Sequence, residues 1–285
     1  MDKITAGIFV VLILAVGYLL LFPASSQASS ETTMQKIVRE GKIKACYIID
    51  PPFVIKNPNS GELTGQAIDA MNYIASEANL KVEYSESSWG TLVASLQSKQ
   101  CDVIVTDLYT KIQRASAVSF TRPFLYKNEN ALVKKDETRL KSIKDLNQSW
   151  VRVAVLQGEA GYYFAQKNLQ QAQLIVLPGS DLTLPMAMVS SGQADVTITD
   201  AWTIDQYAKV HPETQDFLSL NPETASINDF PVNPVGWPVR QEDQSLLSFF
   251  NTALDFIDAN GKWEEWEKKY DAYWLRTQLT LVKGG

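Results

Sequence analysis

The chain has 285 residues, of which 45% are hydrophobic and 20% charged, with a formal net charge of −6. That apolar content is enough for a sizeable core and excludes a disordered chain. The acidic balance, with no block of Lys and Arg, argues against nucleic acid as a partner.

In chain order, Ile4 to Phe22 is apolar and free of charge, preceded only by Asp2 and Lys3 and followed by Ser26-Gln27-Ala28, a small-x-small pattern. Residues 1–28 therefore read as a signal peptide cut after Ala28. Nineteen apolar residues also suffice to span a bilayer, so an uncleaved anchor through residues 4–22 is the alternative. Either way the body of the chain is exported. Two cysteines, Cys46 and Cys101, then face an oxidising compartment, as a disulfide or as two small core residues.

"GKIKACYIID" predicts a strand, and "GQAIDAMNYIASEANL" an amphipathic helix with Ala67, Ile68, Met71, Ile74 and Ala75 on one face. "KVEYSE" is the next strand. Further on, "WVRVAVLQG", "AGYYFAQKNLQQ" and "AQLIVLP" predict strand, helix and strand. Such alternation implies parallel α/β sheets. A phrase is written twice, "SKQCDVIVTD" at 98–107 and "SGQADVTITD" at 191–200, each after a helix-like apolar pattern. Each copy predicts helix, tight turn and strand, with Asp107 and Asp200 at the strand ends, where open parallel sheets bind ligands.

Longer motifs carry a family resemblance. "DPPFVIKNPNSGELTGQAIDAM", "WGTLVASLQSKQCD", "TKIQRASAVSFTRPF" and "ANGKWEEWEKKY" occur in the order seen in bacterial extracellular solute-binding proteins of family 3, the periplasmic polar amino-acid type. The resemblance spans roughly residues 35–272. It implies a two-lobe periplasmic binding protein type II fold, with parallel-rich sheets flanked by helices and two hinge crossings near "NENALVKK" and "NDFPVNPVGWPV". Lobe 1 would comprise 31–131 plus 236–285, and lobe 2 132–235. The segment "GEAGYYFAQKNLQQAQLIVLPGSD…SGQADVTITDAW" resembles periplasmic cyclohexadienyl dehydratase more closely. That enzyme has a catalytic glutamate three residues after the counterpart of Asp200; here the position is Thr203, which cannot serve as the proton-transferring acid at neutral pH.

The resemblance also implies site residues. Arg114 matches an arginine whose planar fork holds a ligand carboxylate; read alone, it is a surface arginine at a helix start. Asp200 matches the carboxylate that receives an ammonium, although an Asp before "AWTIDQYA" equally suits a helix N-cap. Trp89 falls at a pocket wall, or is a core tryptophan opening a helix. Asp107 and Tyr109 stand where relatives have small hydroxyl residues, and Asp50 where they often have an aromatic. Glu159 stands in place of Thr or Ser and is either a ligand contact or a first-turn acid favoured by the helix dipole; the Ala160 amide beside it could still donate to a ligand. Asp50, Asp107, Glu159 and Asp200 together outnumber Arg114, which predicts a cationic amino acid or related amine.

Among the remaining residues, Trp263, Trp266 and Tyr270 have the spacing of a core stripe, and His211 that of a surface loop. There is no zinc set, no Ser/His triad, no dinucleotide fingerprint and no phosphate loop, so no cofactor is expected. The leading functional expectation is a non-enzymatic periplasmic protein that captures an amino acid by lobe closure for an ABC transporter permease. The alternatives are a dehydratase-like enzyme acting on prephenate or arogenate, and a membrane-tethered amino-acid sensor.

Overall fold

The computed structural model describes residues 31–272, so the expected signal peptide or anchor at residues 1–28 lies outside the described residues. Among these residues no helix is long and apolar enough to cross a membrane.

Helix α1 (Thr33–Glu40) leads into strand β1 (Lys42–Tyr47), followed by a hairpin of β2 (Ile55–Lys56) and β3 (Leu63–Thr64). Helix α2 (Gln66–Glu77) buries Ala67, Ile68, Met71, Ile74 and Ala75, the stripe read from the 3.6-residue period. Then come β4 (Lys81–Glu86), α3 (Leu92–Gln97), β5 (Val103–Ile104), α4 (Ile112–Ala115) and β6 (Val118–Phe120). The long β7 (Leu125–Lys134) precedes β8 (Arg152–Leu156), α5 (Ala160–Asn168), β9 (Gln173–Leu177), α6 (Thr183–Ser191), β10 (Val196–Asp200) and α7 (Ala201–Val210). After β11 (Thr214–Asp216) and α8 (Phe217–Leu220), the chain returns through β12 (Val232–Val235) and β13 (Pro238–Arg240) to α9 (Gln244–Ala259) and α10 (Lys262–Lys269).

Two sheets define two lobes. In the first, β4, β1 and β5 are all parallel. The second runs β11-β7-β10-β8-β9. There, β8 is parallel to β9 and β10, whereas β7 is antiparallel to β10 and β11. This antiparallel member departs from the purely parallel sheets that alternation predicts. It arises because β7 is a crossing strand: its first residues, Leu125–Asn128, pair with β12, and Glu129–Val133 continue into the second sheet beside β10. The lobe boundary proposed at 131 thus lies inside one unbroken strand.

The duplicated phrase has a structural equivalent in each sheet. Asp102 donates its amide to the Lys44 carbonyl of β1 and accepts the Lys44 amide on its carboxylate, and Asp195 makes the same pair of contacts with Arg152 of β8. The first aspartate of each copy therefore fastens its turn to the neighbouring parallel strand. Trp263 and Trp266 are buried against the core of the first lobe, with Tyr270 partly buried beside them. His211 ends α7 and stacks on Tyr207, with ring centroids 3.9 Å apart.

Cys46 and Cys101 form a disulfide, with Cα atoms 5.6 Å apart. The parallel register that sets Cys46 against Ile104 brings Cys101, just before β5, alongside β1. For a sequence separation of 55 residues, loop closure in the unfolded chain corresponds to about 4 kcal/mol. Reduction is expected to lower the unfolding free energy by roughly 2–4 kcal/mol in denaturant titrations with and without dithiothreitol; unchanged midpoints would contradict the pairing.

Candidate functional site

The ends of parallel strands and the starts of helices converge on one pocket. Asp50 follows β1, Asp107 and Tyr109 follow β5, Arg114 lies in α4, and Trp89 precedes α3. From the second lobe, Glu159 caps α5, Ala160 opens it, and Asp200 ends β10 and caps α7. These residues line the same pocket, joined by Leu182 and Thr199. Little free space remains between these side chains. A Cβ added at Gly158, where φ is +80°, would lie 2.7 Å from the Trp89 carbonyl oxygen, so only glycine permits this approach of the lobes.

Counting cleft charges from the sequence misses Lys127. This residue of β7 is 3% exposed and sends its ammonium to Asp107 Oδ2 at 2.5 Å and Asp200 Oδ2 at 2.9 Å. Burial alone would lower its pKa, but the charges of Asp107, Asp200 and Asp50 hold it above the ordinary lysine value. Burial, and then the Asp107 charge, push the Asp50 carboxyl well above its usual value. Of the two acids, Asp50 is the one whose surroundings favour the protonated form. Burial opposes ionisation of Asp107 too, yet Lys127 and the Asp50 hydrogen bond bring it below the normal range. A second lysine, Lys111, pairs with the fully buried Glu129. Lys127 thus adds a second buried cation beside Arg114, so the cleft is closer to balanced than the sequence count of four acids against one arginine implies.

Asp200 has its oxygens divided between two tasks. Oδ1 accepts from the amides of Trp202 and Thr203, each at 3.1 Å, and from the Thr203 hydroxyl at 3.3 Å. Oδ2 accepts from the Tyr109 hydroxyl at 2.8 Å and from Lys127. The same side chain is thus both helix cap and cleft carboxylate. Glu159 turns back on its own helix, accepting from Gly161 N at 2.6 Å and from Thr199 Oγ1 at 3.3 Å. Trp89 is buried in an apolar cluster, and its Nε1 has no hydrogen-bond partner among the described residues.

Arg114 differs from the other buried cations. Its Nη1 donates to the Tyr109 carbonyl at 2.9 Å, its Nη2 to the Gly158 carbonyl at 2.7 Å, and the guanidinium lies 5.4 Å from the Tyr163 ring centroid. Lys127, Lys111 and Arg240 each ion-pair with a carboxylate. Among the described residues no carboxylate forms an ion pair with Arg114. No group of three or more His, Cys, Asp or Glu side chains among them is placed to hold a metal ion.

The residues that sequence reasoning missed are Lys127, Lys111, Glu129, Gly158, Leu182 and Thr199. One signal was available for the first: Lys127-Asn128-Glu129-Asn130 is a polar run inside a strand that continues as Ala-Leu-Val, and all four are buried.

The model of bacterial extracellular solute-binding proteins, family 3, matches residues 43–272, and the chain belongs to that family. It is 27% identical over 240 residues to the L-arginine-binding protein of Pseudomonas aeruginosa, covering 84% of this chain and 89% of that one. A probable amino-acid ABC transporter-binding protein of Haemophilus influenzae is 25% identical over 210 residues, covering 74% and 76%. Among solved structures, the ancestral amino acid-binding protein AncCDT-1, a precursor of cyclohexadienyl dehydratase, is similar with a TM-score of 0.72 and 26% identity. That match covers 84% of this chain and 99% of the other.

Burial, and then the charge of Glu129, raise Glu159 from 4.5 to about 7. Across that window the folded protein keeps a proton that the unfolded chain has released, so stability falls as pH rises from 4.5 to about 7 and levels off above. Glu159→Gln, which preserves the acceptor for Gly161 N, is expected to make this fall shallower in denaturant melts across the same pH range. Identical slopes in both proteins would contradict the assignment.

Proposed function

We propose that this protein is the periplasmic binding component of an ABC importer, capturing an amino acid between its two lobes and presenting it to a membrane permease. The observation that carries this reading is Arg114, a buried guanidinium without a carboxylate partner among the described residues, facing a pocket between the lobes. An unpaired buried cation is costly, and an incoming carboxylate removes that cost while accepting two parallel N–H bonds.

A cationic amino acid is supported by relatives named for L-arginine, for histidine (probable) and for lysine, arginine and ornithine, beside one named for glutamine. Its side chain has room to extend past Asp50 and Leu182, which border both the closed pocket and a larger space of about 590 Å³ reaching Pro51, Met186 and Trp202. The binding cycle is opening and closing about β7 and β12, the two strands that cross between the lobes. Thr203 has its hydroxyl on Asp200 and brings no acid to the pocket, and the relatives above are named as binding proteins. Capture without chemistry is the reading we adopt.

A ligand at a hundredfold over its dissociation constant should stabilise the protein by about 2.7 kcal/mol, so a thermal-shift series over the amino acids is expected to identify it. Arg114→Ala should weaken binding of that amino acid by roughly 100-fold or more in titration calorimetry. Unchanged affinity would remove Arg114 from the role of carboxylate anchor.

A further inference from the structure

Lys127 does not itself line the pocket, but its ammonium occupies carboxylate oxygens of Asp107 and Asp200, which do. An α-amino acid whose carboxylate reaches Arg114 carries its ammonium on the adjacent carbon, within the same small pocket as Asp107 and Asp200. Both carboxylates are already engaged. Asp200 Oδ1 serves the first turn of α7, and Asp200 Oδ2 holds Tyr109 and Lys127. Asp107 Oδ2 holds Lys127, and Oδ1 accepts from Thr106 at 3.4 Å. A ligand ammonium would thus have to share Asp200 Oδ2 with two donors already in place and Asp107 Oδ2 with Lys127. Lys127 is also enclosed, with its Nζ 4.7 Å from the Phe53 ring centroid and 6.0 Å from that of Tyr109.

We propose that Lys127 is a specificity-determining residue: a tethered ammonium that competes with the ligand's own ammonium for Asp107 and Asp200 and must be displaced before an amino acid can seat. The inference rests on the amino-acid reading of the cleft and adds its selectivity. Apparent affinity is the intrinsic affinity scaled by the fraction of molecules whose anchor is free. An amino acid therefore has to make strong contacts elsewhere to be captured, which disfavours small zwitterions. A carboxylate ligand without an ammonium does not meet this competition.

The test compares wild type with Lys127→Met, and with Lys127→Gln, which keeps hydrogen-bonding capacity without charge. Each is titrated calorimetrically with L-arginine, L-histidine and L-glutamine, and with the 2-hydroxy analogue of each, which keeps the carboxylate and lacks the ammonium. If the anchor is occupied nine-tenths of the time or more, the neutral variants should bind at least one amino acid about tenfold or more tighter than wild type. Their affinity for its hydroxy analogue should change less. Equal or weaker amino-acid binding in the variants, with wild-type binding intact and lost in Arg114→Ala, would overturn the Lys127 proposal alone. Absence of amino-acid binding in wild type and variants together would overturn the amino-acid reading, and this proposal with it. Should the variants fail to fold, a crystal structure of wild type with a bound amino acid decides the matter. Lys127 displaced from Asp200 supports the proposal, and Lys127 still 2.9 Å from Asp200 beside the ligand overturns it.

Discussion

The ammonium of Lys127, held between Asp107 and Asp200, is the contact around which the cleft is arranged. Removing a carboxylate or an ammonium from water costs several kcal/mol per ion, and mutual attraction offsets that only where further hydrogen bonds satisfy the remaining valences. Those bonds are present. Tyr109 and the first-turn amides of α7 serve Asp200, while burial pushes the Asp50 carboxyl beside Asp107 above its usual value. The lysine thus offsets part of the charge that the neighbouring carboxylates bring to this buried space.

The duplicated phrase supplies the geometry of that cluster. Its first aspartates, Asp102 and Asp195, fasten each turn to the next parallel strand, and its last aspartates reach the same lysine from the two sheets. Lys127 itself comes from β7, the strand that passes from one lobe to the other. One residue of the crossing therefore links both strand ends. Against this satisfied cluster, Arg114 stands out as the cation with a place for an external anion. On the proposed reading this gives the cleft a direction, with the ligand's carboxylate at Arg114 and its other end toward Asp107 and Asp200.

Elements with strong local patterns were legible in the sequence. The buried face of α2, the strands β1, β4, β8 and β9, and the helix-turn-strand pairs before Asp107 and Asp200 all follow from periodicity and β-branched runs. The residues gathered at the pocket were legible through family motifs and strand-end logic. What local pattern does not carry is pairing over distance. The predicted run "DVIV" contributes only Val103 and Ile104 to a strand, because β1 offers β5 a short register. The antiparallel place of β7 depends on its origin in the other lobe. The disulfide depends on β1 and β5 being neighbours. Lys127 was hidden for the same reason: a lysine in a strand reads as solvent-facing until the fold brings Asp107 and Asp200 to it. Glu159 and Asp200 show the converse, since their helix-capping roles were readable locally and hold alongside their places in the pocket.

The central claim is that the Lys127 ammonium and the cleft carboxylates are energetically coupled in the folded protein. A double-mutant cycle on unfolding free energy tests it most directly, using Lys127→Met, Asp107→Asn and the combined variant in denaturant titrations without ligand. The account predicts a coupling of about 1.5 kcal/mol or more, as found for close charge pairs, with the double variant less destabilised than the sum of the singles. Additivity within about 0.5 kcal/mol would contradict it.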